Sequence, residues 1–264
     1  MTFRPICMIP ARLASTRFPR KLLKLFRGQP ILEHVRRRAL LVKELDRVIV
    51  ATCDKEIEHL VIDNGGEVIM TGDHHPNGTS RVAEAIQSVD CTHVILVQAD
   101  EPLIMPEHVE VMMNAILTHP DCDAFNAVGP LDGDEELDQV SSVKCALAMN
   151  GDILYCFRRS PAIAKGSEQR RYMRKLLGLI AFRKEFLLNL MDLPETSISQ
   201  SESIEQMKLL QHGVRLRAVE LDEAVPGVNE PSDMELVETC FAASPQQQVC
   251  FDRAFAPKTV VDAQ

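Results

Sequence analysis

Through residue 119 the chain alternates short apolar runs with stretches of helical spacing, and that alternation leaves few architectures open. PICMIPA (5–11), DRVIVATC (46–53), GEVIMT (66–71) and THVILVQAD (92–100) read as strands. PILEHVRRRALL (30–41), KEIEHLVIDNG (55–65), SRVAEAIQSV (80–89) and PEHVEVMMNAILTH (106–119) read as helices, the second stopped by Gly65 and the last begun by Pro106. Strands this apolar need cover on both faces, and crossover helices supply it. The expected fold is therefore α/β, a doubly wound, mainly parallel, Rossmann-like sheet. Later segments are less regular. DAFNAVGPL (123–131) and VKCALAMN (143–150) read as strands, AMNGDILYCF (148–157) as a hairpin turning at Asn-Gly, and LLGLIAFRKEFLLNLM (176–191) as a strand running into a helix. ESIEQMKLLQHG (202–213) reads as one helix, VRLRAVEL (214–221) as a strand and PSDMELVETCFA (231–242) as the final helix. The tail 244–264 shows no clear period and is expected to be a peripheral extension. The length suits one domain, 1–243, with a small inserted lobe at about 123–200.

Hydrophobic residues make up 45% of the chain and charged ones 25%, enough to bury a core. A net charge of −9 disfavours nucleic acid as a partner, because such binding neutralises phosphates. The opening MTFRPICMIP carries no long apolar stretch, and no apolar run reaches the ~18 residues of a membrane span. A cytoplasmic protein with no membrane partner is expected. The eight cysteines include no C-x-x-C pair and read as reduced core thiols. The eight histidines show no H-x-x-x-H or H-E-x-x-H pattern, so no zinc site is expected. His74 and His75 adjoin the NGT segment, placed to face a nucleotide.

The loop after the first strand, IPARLASTRFPRKLL (9–23), carries Arg12, Arg17, Arg20 and Lys21 and no acid. Ligands of parallel sheets bind at the carboxyl ends of strands, where this loop lies. Cations packed this closely repel one another unless an anion sits among them, and arginine forks with a lysine charge suit a triphosphate. Ala11, Ala14 and Ser15 are small enough for backbone N–H groups to approach a ligand. A solvated basic turn is the other reading. Neither G-x-x-x-x-G-K-S/T nor G-x-G-x-x-G occurs here.

Residues 9–21 resemble the signature of CMP-Kdo synthetases, the 3-deoxy-manno-octulosonate cytidylyltransferases, which runs roughly I-P-A-R-x-x-S-x-R-x-P-x-K, usually with Gly at the place of Arg20. The resemblance continues through VIVATCD (48–54), NGTSRVAEA (77–85), VQADEP (97–102), VKCALAMNGDILYCFRRSPA (143–162) and IEQMKLLQHG (204–213). It implies a nucleotidyltransferase that joins CMP from CTP to an acidic sugar. It also implies that Ala11, Arg12, Ser15, Arg17, Lys21, Arg81 and Gln98 hold the nucleotide, that the inserted lobe serves sugar binding and dimerisation, and that the protein is a homodimer.

At the end of THVILVQADEPLI (92–104), a carboxylate closing a buried strand is costly unless paired or metal-bound. Asp100 is therefore the expected ligand of Mg²⁺, a cation that takes oxygen donors and bridges phosphates. A helix-capping acid is the alternative. VPGVNEPSDMEL (225–236) resembles the family's V-D-T-P-E-D-L, shortened by about two residues, which puts Asn229 where a second metal-binding aspartate stands. The alternatives are an asparagine that shapes the turn before Pro231, or Glu230 or Asp233 after a shift of the chain, Asp233 being better placed as a first-turn acid of the final helix. With Arg12 and Lys21, Asp100 forms the expected catalytic set.

For the sugar, FRRSPA (157–162) resembles the family's S-R-S-P segment, which implies that Arg159 meets the carboxylate. Gln98, Glu205 and Gln206 match residues that touch the sugar, although Glu205 and Gln206 also read as solvent-facing helix residues. LLGLIAFR (176–183) departs from the family's H-x-G-x-Y, placing Leu176 and Ile180 at the His and Tyr positions. This points to Kdo or a modified, less hydroxylated relative. Two other readings remain: another nucleotide or sugar substrate, or a catalytically weak homologue that binds sugar or nucleotide.

Overall fold

The computed structural model describes residues 2–256. In chain order, β1 (Pro5–Ala11) leads into the basic loop, the small hairpin β2 (Leu25–Phe26) and β3 (Gln29–Pro30), and α1 (Ile31–Ala39). Then follow β4 (Val48–Thr52), α2 (Lys55–Asp63), β5 (Glu67–Met70), α3 (Gly78–Ile86), β6 (His93–Val97) and α4 (Pro106–Thr118). The second half contributes β7 (Ala124–Gly129), β8 (Lys144–Leu147), β9 (Ile153–Phe157), α5 (Gly166–Gln169), β10 (Met173–Arg183), α6 (Lys184–Leu190), α7 (Ser197–Glu202), α8 (Gln206–Gln211), β11 (Leu216–Glu220), α9 (Asp233–Ala243) and α10 (Pro245–Ala254).

The main sheet runs β11-β7-β10-β6-β1-β4-β5. β1 pairs in parallel with β4 and β6, β4 with β5, and β7 with β11. β10 is antiparallel to both β6 and β7. The sheet is thus mainly parallel, as the alternation required. Successive β1 residues serve opposite faces. Cys7 and Ile9 join Ile31, Val35, Met112 and Phe241, whereas Ile6 and Met8 join Val82, Ile86, Leu187 and Met207. Helices cover both faces, which is why the strands read as continuous apolar runs.

The hairpin β8–β9 lies off the main path and extends the first residues of β10 through Met173, Arg174 and Lys175. Leu131, Leu137, Phe157 and Met173 form its own small core. A register shift between Leu176 and Ile180 separates this part of β10 from the part inside the main sheet.

Two expectations change. Segment 202–213 is not one helix: Ser203 adopts φ 53, which ends α7 and lets α8 start in a new direction with Ile204 buried. The tail, in which no period was legible, is helical through 254. Ser244 caps α10, Pro245 stands at its first position, and the helix packs on α1 and α9. Its period was hidden because only Gln247 and Cys250 are buried. The rest of the predicted extension, 257–264, lies outside the described residues.

Gln247 has a specific task. Arg38 on α1 is fully buried, and its Nη1 donates to Gln247 Oε1 at 2.7 Å and to the Ile104 carbonyl at 3.3 Å. Gln247 Nε2 in turn donates to the Leu103 carbonyl at 2.8 Å. Arg38 Nε and Nη2 have no partner among the described residues, and burial holds its pKa below the ordinary arginine value. Removing this side-chain oxygen leaves a charge poorly compensated in the interior, with only the Ile104 carbonyl and the weakly accepting Met105 sulfur at Nη1 among the described residues. Gln247→Ala is expected to destabilise the fold by about 3 kcal/mol in urea unfolding; a change under about 0.5 kcal/mol would show that α10 is not needed to satisfy Arg38.

Candidate active site

The loops at the carboxyl ends of β1 and β6 and the segment after β11 enclose a cleft of about 620 Å³. Its basic wall is the loop after β1. Asp54, just beyond β4, anchors that loop by accepting the Leu13 N–H at 2.8 Å. Ser15 Oγ accepts the Phe18 N–H at 3.4 Å. Arg12, Arg17 and Lys21 line the cleft; Arg20 does not. Arg20 sits at φ 58, a conformation that favours glycine, and its guanidinium pairs with Glu56 on α2. Three of the four loop cations are thus directed to one place.

Lys21 closes the loop against two other segments. Its ammonium pairs with the Asp100 carboxylate and donates to the Val228 carbonyl at 2.8 Å, with 13% of the lysine side chain and 23% of the aspartate exposed. An ammonium has three donors, so one remains for a ligand. Asn229 follows Val228, and its Oδ1 accepts from Arg17 Nη2 at 3.3 Å. The carboxylate of Asp233 fixes this turn by accepting the Asn229 and Glu230 N–H groups at 2.6 and 2.9 Å.

The floor depends on one close approach. Gln98 N–H donates to the Gly178 carbonyl at 2.9 Å, and a Cβ on Gly178 would lie 2.6 Å from Glu101 Oε1 and 2.9 Å from Gln98 Cγ. Burial, with the Asp100 charge adding to it, pushes Glu101 up to about 8. The remaining wall is the start of α3. Asn77 caps it by accepting the Ser80 N–H at 2.9 Å, and Gly78 and Arg81 line the cleft. Arg81 is buried, its Nη1 held by Thr71 Oγ1 at 2.5 Å and the Gly72 carbonyl at 3.1 Å.

Ala11, Arg12, Ser15, Arg17, Lys21, Arg81, Gln98, Asp100 and Asn229 therefore all border one cleft. Glu205 and Gln206 border a second, smaller chamber that shares Asn77 with the first and is bounded by Thr79 and Ile180. They are not solvent-facing. Gln206 is buried and donates to Asn126 Oδ1 at 3.0 Å, and Asn126 donates in turn to the Ala127 and Leu177 carbonyls. Burial raises the Glu205 pKa, and its Oε2 has no partner among the described residues. Leu176 lies on β10 opposite Val128 and packs into the core.

Arg159 borders neither space and stays exposed in the loop after β9. Arg158 binds that loop down by donating to the Val140, Glu202 and Ser203 carbonyls at 2.9, 2.9 and 3.0 Å. Lys144 is buried beneath it, with its ammonium on the Gln139, Ser142 and Arg158 carbonyls, and burial lowers its pKa to about 8. Asp54, Gly78 and Gly178 were not singled out from the sequence, whereas Asp233 is the first-turn acid of α9 that was expected. Asp54 and Gly178 do carry signals, an acid at a strand's carboxyl end and a glycine inside an apolar strand.

Residues 6–216 match the family model described as Cytidylyltransferase. The chain is 35% identical over 251 residues to the 3-deoxy-manno-octulosonate cytidylyltransferase of Chlorobium phaeobacteroides, covering 92% of this chain and 100% of the relative. The protein of the same description from Escherichia coli is 35% identical over 246 residues, 90% of this chain and 96% of that one. A solved CMP:2-keto-3-deoxy-manno-octonic acid synthetase complexed with CTP superposes with a TM-score of 0.84 at 34% identity, over 91% of this chain and 99% of that chain.

Proposed function

This chain belongs to the 3-deoxy-manno-octulosonate cytidylyltransferases within the cytidylyltransferase family, and on that premise we propose that it transfers CMP from CTP to a 3-deoxy-2-ulosonic acid in the cytoplasm. The observation that carries the reading is the convergence of Arg12, Arg17 and Lys21 on one cleft, where Lys21 meets Asp100 and Arg17 meets Asn229. A hydroxyl of the sugar attacks the α-phosphorus of CTP, a new P–O bond forms, and the bond to the β-phosphate oxygen breaks to release pyrophosphate. Little covalent work falls to the protein. Arg12, Arg17 and the free donor of Lys21 stabilise charge as it moves to the leaving phosphates, and the start of α3 adds its partial positive charge. Gln98, on the wall of the first cleft, aligns nucleotide and sugar. Glu205 and Gln206 take sugar hydroxyls, and the unpaired Oε2 of Glu205 is the acceptor such a hydroxyl needs.

The donor set fits Mg²⁺. Asp100 engages Lys21 through Oδ2 alone among the described residues, which leaves Oδ1, and Asn229 offers an amide oxygen on the same cleft. Both are hard oxygen donors, although only Asp100 brings charge. When bound, Mg²⁺ supplies positive charge at the phosphates. Leu154, Tyr155, Met149 and Ile163 of the inserted lobe are exposed apolar residues, and β9 pairs on one side only. Both features support a homodimer formed through that lobe.

Pyrophosphate release from each nucleoside triphosphate with a panel of ulosonic acids tests the assignment. Lys21→Ala is expected to lower turnover with CTP by at least about a hundredfold while circular dichroism stays that of the parent protein; near-normal release would refute the role of the loop. Arg159→Ala is expected to raise the KM for the sugar acid about tenfold to a hundredfold and to leave the KM for CTP within about twofold. Equal effects on both would remove the sugar-specific contact. Because Ile180 bounds the chamber of Glu205 and Gln206, a sugar hydroxyl facing it finds no partner, at about 1–3 kcal/mol. A less hydroxylated ulosonic acid is expected to show the higher kcat/KM, and Kdo leading the panel would contradict this.

A further inference from the structure

His74, His75 and Glu84 come together on the outer side of the β5–α3 turn, each offering one ligand atom, with all three atoms within 4.8 Å of one another. The two imidazoles come from adjacent residues of the turn and the carboxylate from the second turn of α3, so no periodic motif announced them. Their ring centroids are 4.4 Å apart. His75 is buried with Nε2 on Glu84 Oε2, and Glu84 Oε1 is fixed by the Gly72 N–H at 3.0 Å. A Cβ on Gly72 would lie 2.4 Å from the His74 ring, so only glycine lets that ring fold back over the turn. His74 has no hydrogen-bond partner among the described residues, and it is exposed at an open depression that His75, Glu84, Gln87 and Asp192 also border.

We propose that His74, His75 and Glu84 form a second metal site, for a divalent transition cation of the zinc type. Two neutral imidazoles and one carboxylate suit Zn²⁺ far better than Mg²⁺, which prefers oxygen alone. Donors on one zinc at about 2.0–2.2 Å lie no more than about 4.4 Å apart. The three donor atoms all lie within 4.8 Å of one another, so at most a small rotation of the exposed His74 brings them inside that limit. Arg81 does not oppose the cation, because its guanidinium is turned to Thr71 and the Gly72 carbonyl. Three protein ligands leave a fourth position open to the depression, the pattern of zinc sites that accept water or a small ligand. The site is separate from Asp100, yet His75 also lines the nucleotide cleft, so the cation would hold one wall of that cleft.

The test uses the full chain freed of metal with a chelator and then titrated with Zn²⁺ against a chromogenic chelator, without nucleotide. Co²⁺ serves as the spectroscopic probe, since four-coordinate Co²⁺ gives an intense visible absorption. One equivalent of Zn²⁺ per chain, a four-coordinate Co²⁺ spectrum, and at least tenfold weaker binding in both His74→Ala and Glu84→Gln are expected. In His74→Ala, Mg²⁺-supported pyrophosphate release is expected to stay within about twofold of the parent protein, because this side chain borders neither substrate space. No stoichiometric uptake would overturn the proposal. So would uptake that survives His74→Ala unchanged, which would assign the zinc to cysteines or other surface groups.

Discussion

The ion pair between Lys21 and Asp100 is the contact on which the cleft depends. Lys21 belongs to the loop after β1, Asp100 to the turn after β6, and the Val228 carbonyl that shares its ammonium to the segment after β11. Three strand ends distant in sequence are tied through one nitrogen. Both charges are largely withdrawn from water, so each is expensive without the other and the arrangement is held more firmly than a surface pair would be. The same pair holds the Asp100 carboxylate and the Lys21 ammonium on one wall of the cleft. Structural closure and chemical readiness are therefore one interaction here.

Around that contact the site separates into layers with different rigidity. The nucleotide end is built from short loops bound at both ends, by Asp54 to Leu13, by Asp233 to Asn229 and by Asn77 to Ser80. The sugar end is divided. Gln206 is locked to Asn126 in the middle of the sheet, whereas Arg159 rides exposed on a loop held through its neighbours Arg158 and Ser160 and through Lys144 below.

Much of this was legible in the sequence because the relevant signals are local. Apolar runs with period-free burial marked the parallel strands, and a basic loop without acids marked the phosphate end. What was not legible depended on tertiary choices. Nothing local says that Arg20 takes a left-handed backbone and turns to Glu56 while Arg17 and Lys21 face inward. Glu205 and Gln206 look like surface residues until Asn126 and Thr79 are brought over them. α10 escaped notice because a helix that buries two polar or small residues, Gln247 and Cys250, leaves no apolar stripe. The grouping of His74 and His75 with Glu84 needed the turn to fold back on its own helix, which no spacing rule anticipates.

β10 is one continuous strand that belongs to both parts of the molecule. Its first residues carry the hairpin of the lobe, and its last residues lie between β6 and β7, with Gly178 between the two regions, packed against Gln98 and Glu101. The lobe is in this sense a lever whose shaft passes through the floor of the active site. A displacement of the lobe would therefore reach the floor of the cleft along one covalent backbone, and the lobe cannot be exchanged for another without resetting that floor.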